Sequence, residues 1–239
     1  MILRSYKMTH DTGFAPNVSG DTLSLATCKP KIREVCNKGE WIAGFNSATL
    51  DGTEVSKERL VYLAKVSGEM NFYEFWKNYE CKRPDKDKNG DNIYKPKGDE
   101  YEQMLNAHHG IEWKEHDLKA DRVLLCDEFY YFSVHNALDL GDLRPKINVP
   151  QKQAPYGYKT YDIEIVDTDN QKSAVQELID FVRANKDKCA KFKDEKGKVG
   201  GKGITHQSGG AIQGGGSCGS VAGNAGSCGG GASHTSGKC

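Results

Sequence analysis

Side chains able to do chemistry crowd two short blocks near the start of the chain, His10-Asp11-Thr12-Gly13-Phe14-Ala15-Pro16-Asn17 and Ala26-Thr27-Cys28-Lys29-Pro30-Lys31-Ile32-Arg33. They supply a carboxylate (Asp11), a thiol (Cys28), a ring (Phe14), a short amide (Asn17) and three cations (Lys29, Lys31, Arg33). Pro30 has no amide hydrogen and a fixed φ, which suits the first turn of a helix. The unpaired amides and positive dipole end of such a helix would face Thr27 and Cys28 and, with the cations, favour a phosphate or carboxylate. Cys28 is the candidate nucleophile there and Asp11 the candidate acid–base group. The competing reading assigns Cys28 to packing and the cations to a solvated face. A small anionic or planar ligand is indicated more clearly than any reaction.

The chain of 239 residues allows one large domain with a tail, and its 33 basic and 33 acidic side chains cancel. That balance argues against coating nucleic acid by bulk charge. No apolar run is long enough to span a bilayer, and Met1-Ile2-Leu3-Arg4 lacks the core of a signal peptide, so a cytoplasmic protein is expected. Cys28, Cys36, Cys81, Cys126 and Cys189 show no C-x-x-C spacing, so neither a zinc site nor a disulfide framework is signalled. No familiar catalytic signature lies in the two blocks, and the pattern leaves the cofactor unknown.

The elements that would position these residues follow from periodicity. Ile2 to Met8, Glu40 to Phe45, Arg122 to Cys126 and Phe129 to Ser133 read as strands, with Gly44 marking a bulge or close approach. Leu60 to Val66 is apolar throughout, as a central strand buried on both sides would be. Of Phe129, Tyr130, Tyr131 and Phe132 in a row, some rings should leave the core. Asp51-Gly52 signals a hairpin turn. A helix capped by Asn71, with Glu74 completing a capping box, carries Phe72, Phe75, Trp76 and Tyr79 on one face. A second helix is expected over Asp99 to His109, with His108 packed inward and His109 pointing elsewhere as the better functional candidate. The diverging pair does not signal a metal. In the loop Lys82 to Gly98, Asp91, Asn92 and Tyr94 could bond a base or ribose edge or, equally, their own turn. Tyr161 to Val166 reads as a strand, and a helix starting at Asp169 has Val175, Leu178, Ile179 and Val182 in a stripe. The domain thus spans 1–185, and the Lys-rich, then Gly/Ser/Cys-rich stretch 186–239 reads as a flexible tail. Cys218, Cys228 and Cys239 in that tail read as incidental thiols of a low-complexity stretch or as groups that bind a soft metal, crosslink to a protein partner or accept a modification.

The runs Tyr6 to Asn17, Leu25 to Arg33, Gly39 to Phe45, Leu60 to Leu63, Gly90-Asp91-Asn92-Ile93-Tyr94 and Phe129 to Phe132 resemble the nucleotide-modification-associated domain of the second type, over about residues 1–149. The resemblance implies a bacterial or phage protein acting alongside DNA or nucleotide modification, without a mechanism to carry over. Val18-Ser19 replaces the Pro-Phe expected after Asn17, and Glu40 stands where Asp is usual. Element order is also similar to PUA-like domains of the EVE and ASCH type, which implies an α+β fold with a barrel-like sheet and short packed helices.

Two function classes follow. In one, an enzyme of nucleotide or modified-base chemistry, on free nucleotides or within DNA, uses Asp11 or Cys28. In the other, a reader or sensor in phage defence or counter-defence uses the same pocket without chemistry. Both share one binding set: Phe14 and Trp41 to stack a base, Lys29, Lys31 and Arg33 for phosphate, and Asn17, Asp91, Asn92, Tyr94 and His109 for polar edges.

Overall fold

The structure is a computed structural model that describes residues 1–150, 159–162, 169–190, 192–193 and 199–200. At its centre lies β4 (Leu60–Lys65), whose apolar run is what a strand covered on both faces requires. It pairs antiparallel with β3 (Trp41–Phe45) on one side and β9 (Glu128–Tyr131) on the other. β1 (Ile2–Lys7) runs parallel to β3, and β10 (Lys159–Asp162) closes the order β10-β1-β3-β4-β9. The chain crosses from β1 to β3 through β2 (Leu23–Leu25) and α1 (Pro30–Val35), and this crossover carries Cys28. Gly44 sits at a register shift in β3, where a Cβ would run into the Tyr62 ring and Met8, so both expected roles of this glycine are met.

Both faces of the sheet are covered. On one, α5 (Asp169–Ala184) lays Val175, Leu178, Ile179 and Val182 against Leu3, Trp41, Leu63 and Tyr130. On the other, Tyr6, Ile42, Val61, Tyr62 and Ala64 pack against a second sheet, β2-β8-β5, built with β5 (Gly68–Met70) and β8 (Val123–Cys126). The four consecutive rings therefore all find cover: Phe129 and Tyr131 enter the second core, Tyr130 and Phe132 the first, and none is left for a cleft. A third apolar cluster joins α3 (Phe72–Asn78) to a hairpin of β6 (Tyr94–Lys97) and β7 (Glu100–Gln103). The Asn71/Glu74 capping box that starts α3 forms as the sequence indicates.

Several expectations need correction. The fold is mixed α+β, but among the described residues its sheets do not close into a barrel. The segment expected as a helix over Asp99 to His109 is instead β7 and a turn, because Gly98 at φ 62 reverses the chain and Tyr101 packs edge-on against Phe72. Asp51-Gly52 ends the short helix α2 (Ala48–Asp51), which Ser47 caps, rather than a hairpin. α4 (Lys114–Asp117) was not anticipated. Of the strand expected over Tyr161 to Val166, residues 163–166 lie outside the described residues, as do Cys218, Cys228 and Cys239. Beyond α5, Cys189 is buried and the Ala190 N–H donates to Tyr131 O (2.8 Å), so residues up to 190 are held against β9. β11 (Phe192–Lys193) and β12 (Val199–Gly200) pair antiparallel. Among the described residues no helix is long and apolar enough to cross a membrane.

Candidate functional site

The turn between β2 and α1 is the most constrained backbone in the chain. Cys28 and Lys29 both have positive φ, 58° and 45°, a conformation that costs a non-glycine residue about 1–3 kcal/mol. It persists because its surroundings fix it. The Cys28 N–H donates to Asp117 Oδ1 (2.7 Å), Arg33 Nε donates to Cys28 O (3.0 Å), and the Ile32 and Arg33 amides donate to Lys29 O. Pro30 takes the first helical position, as its φ dictates.

Asp117, at the end of α4, is fully buried and gathers four segments. Besides the Cys28 amide it accepts from Tyr94 Oη (2.9 Å), lies 4.0 Å from the Arg33 guanidinium, and has Oδ2 2.8 Å from His109 Nε2. That last N–H is not aligned along a hydrogen-bond line, but attraction between charges depends on distance and holds regardless. Burial alone would lower the pKa of His109; the close approach of the Asp117 and Cys28 side chains, and the charge of Asp117, outweigh it and raise the pKa to about 9. At neutral pH the ring is an imidazolium. The Phe14 ring packs against it at 5.4 Å between centroids. Cys28 is half-exposed, whereas the free thiols of Cys36, Cys126 and Cys189 are buried, and burial pushes the Cys36 thiol up to about 12. Cys81 is disulfide-bonded, which no spacing announces. Next to Cys28, Thr27 is buried and its hydroxyl has no hydrogen-bond partner.

Beside this turn opens a cleft of about 460 Å³ lined by Lys29, Pro30, Lys31, Ile32, Glu34, His116 and Lys119. Lys29 links cleft and turn. Its ammonium lies 4.8 Å from the Tyr6 ring centroid, and burial lowers its pKa, although the neighbouring Cys28 acts the other way. Exposed Trp113 stands edge-on to His116 at the rim. Among the described residues no group of three or more His, Cys, Asp and Glu is arranged to hold a metal ion.

Of the residues singled out in sequence, Cys28, Lys29, His109, Tyr94 and Phe14 come together, and Lys31 lines the adjoining cleft. The others do not join them. Arg33 is fully buried and spends its guanidinium on the carbonyls of Cys28, Asp117, Ala120 and Arg122, so it braces the turn instead of meeting phosphate. Trp41 lies in the core under α5, in a different cluster from Phe14, so the two rings cannot sandwich one base. Asn17 accepts from buried Lys82, Asn92 donates to Phe75 O and Tyr79 O, and Asp91 accepts from Ser24 Oγ and the Ala26 amide; these three bond the protein itself. Asp11 accepts from Tyr131 Oη (2.5 Å) and the Val134 amide (2.6 Å). The two histidines exchange their expected places: His109 is 7 % exposed, and His108 faces solvent. Sequence reasoning missed Asp117, which stands in a polar run without a motif and acquires its partners only through contacts with residues 28, 33, 94 and 109.

The chain matches no curated protein and no solved structure. A family model described as nucleotide modification associated domain 2 matches residues 2–178, which takes in every element from β1 into α5 and the whole site. The chain therefore belongs to the nucleotide modification associated domain 2 family.

Proposed function

We propose that this protein binds a nucleotide or modified base in the cleft beside Cys28 and acts on it in nucleotide or nucleic-acid modification. The observation that carries this reading is the cleft itself: Lys31 and Lys119 offer charge for phosphate, Pro30 and Ile32 an apolar wall, and Lys29 leads from it to the half-exposed thiol. A site with few polar anchors on an apolar wall is the usual form of a small-molecule pocket. Family membership supports the modification setting.

The test is a thermal-shift and anisotropy screen of the full chain with mononucleotides, modified nucleosides, cyclic dinucleotides and short single- and double-stranded DNA. A ligand at a hundred times its dissociation constant adds about 2.7 kcal/mol to stability. Absence of any shift, with anisotropy unchanged, would remove the reading. A second reading, a reader or sensor without chemistry in phage defence or counter-defence, is favoured by one observation: the Asp11 carboxylate is occupied by Tyr131 and Val134 and is not poised for proton transfer. A ligand recovered unaltered after long incubation would favour it.

A further inference from the structure

We propose that Cys28 is a covalent nucleophile, that His109 carries its proton, and that Asp117 holds His109 in place, the substrate being a nucleotide with an amide- or amidine-type carbon on its base. The inference rests on the nucleotide-binding reading above but goes beyond it by assigning the reaction centre. Three independent features support it. The nucleophile sits on a left-handed turn between a strand and a helix, a geometry that lifts a side chain off the backbone and that the fold maintains against strain. The acid–base partner and its orienting carboxylate arrive from separate segments, His109 from the turn after β7 and Asp117 from α4, with the imidazole and carboxylate 2.8 Å apart in a buried setting. The Thr27 hydroxyl, on the residue before Cys28 and buried without a partner, is an unspent donor.

His109, whose ring stands 2.8 Å from Asp117, carries the proton that the Cys28 sulfur gives up. The thiolate adds to the sp² carbon, forming an S–C bond while the π pair moves to the carbon's oxygen or nitrogen. Collapse breaks the C–N bond, and the amine leaves with the proton from His109. Water then adds to the thioester or thioimidate, His109 taking its proton. The S–C bond breaks, the thiolate is restored, and the net reaction is hydrolysis without an oxidant or reductant. Lys29 and Arg33, the latter fixed beside Asp117, also face this centre, as does His116, while Tyr6 and Tyr94 supply phenols.

The experiment is alkylation of the full chain with iodoacetamide, followed at Cys28 by peptide mapping from pH 5 to 10, in the natural protein and in His109→Gln and Asp117→Asn. Because no nucleotide is present, its outcome is independent of the binding screen, and either can fail alone. The expected result at pH 6.5 is Cys28 alkylation at least about tenfold faster in the natural protein than in His109→Gln, with the gap closing by pH 9.5. Equal rates in the two proteins at pH 6.5 would overturn the proposal. Should the variants not melt cooperatively, the natural protein decides alone: a Cys28 rate that levels off below pH 8 supports the pair, and one that keeps climbing tenfold per pH unit through pH 8 sinks it.

Discussion

Asp11 and Asp117 are both carboxylates pinned by a tyrosine hydroxyl and a backbone amide, yet the two regions do different things. Asp11 takes Tyr131 Oη and the Val134 N–H, and with those two bonds it ties the loop after β1 to the loop after β9. Asp117 takes Tyr94 Oη and the Cys28 N–H and adds an imidazole at 2.8 Å and a buried guanidinium at 4.0 Å. A carboxylate whose partners are fixed donors is a brace. One that also faces a titratable ring beside a thiol can pass a change of charge to that thiol. Residue type and dense local motif point to Asp11, while the surrounding groups point to Asp117.

The largest expected effect separates the two by stability. Asp117→Ala leaves Arg33 buried without the carboxylate that acts on it most strongly and strips a partner from His109, Tyr94 and the Cys28 amide, a loss of about 3–5 kcal/mol. Asp11→Asn keeps an acceptor for the Val134 N–H alone and sets an amide NH2 against Tyr131 Oη, whose hydroxyl can accept from it, a loss of about 1–2 kcal/mol. Urea unfolding of both variants measures the gap. Equal losses would mean that Asp117 is no more than a second brace.

A pH titration sharpens the comparison. The pKa of His109 is raised from 6.5 to about 9, so its folded form holds the proton more tightly than the unfolded chain does. The stability it contributes is fully present below pH 6.5 and is lost as pH rises through 9. Asp91, pushed up to about 6 by burial despite nearby Lys82, also has a raised folded pKa, so stability linked to it falls as pH rises between about 4 and 6. Melting temperatures from pH 4 to 10 should decline in both windows. His109→Gln should flatten the upper one alone, and a curve for that variant parallel to the natural protein's above pH 6.5 would dissociate the ring from Asp117.

What was legible in sequence follows from range. Periods of two and 3.6 depend on neighbours within a turn or a pleat, so the five strands β1, β3, β4, β8 and β9, the capped helix α3 and the stripe on α5 could all be read from local pattern. The three-residue strands β2 and β5 were not legible, because so short a run shows no period, nor was the turn that Gly98 makes of an apparently helical stretch. In the site, Cys28, Tyr94 and His109 stood out by type, yet nothing local separates Arg33, which is buried among carbonyls, from Lys31, which is exposed to solvent. Burial of a cation depends on where the loop at Ala120 and Arg122 returns, about ninety residues later, and such long-range closure leaves no trace in local pattern.

The smallest effects belong to the cleft, and they test whether ligand charge is read there and not at Asp11 or in the core. Lys31 shares its charge with Glu34 at 3.4 Å, both exposed, while Lys119 makes no ion pair among the described residues. Lys119→Ala should therefore weaken binding of a phosphate-bearing ligand about three- to tenfold, a surface charge being worth up to about 1 kcal/mol, and Lys31→Ala about twofold. Neither change should move the melting temperature of the free protein by more than about a degree, since neither side chain is buried. If the ligand is a single-stranded polymer, each lysine removed should also lower the slope of log affinity against log salt by about 0.7. A mononucleotide would show a smaller change in slope, because few counterions leave it. Anisotropy titrations at 50 and 200 mM salt read both quantities at once, and the reverse order, with Lys31 the stronger of the two, would mean that Glu34 turns away from Lys31 when the ligand binds.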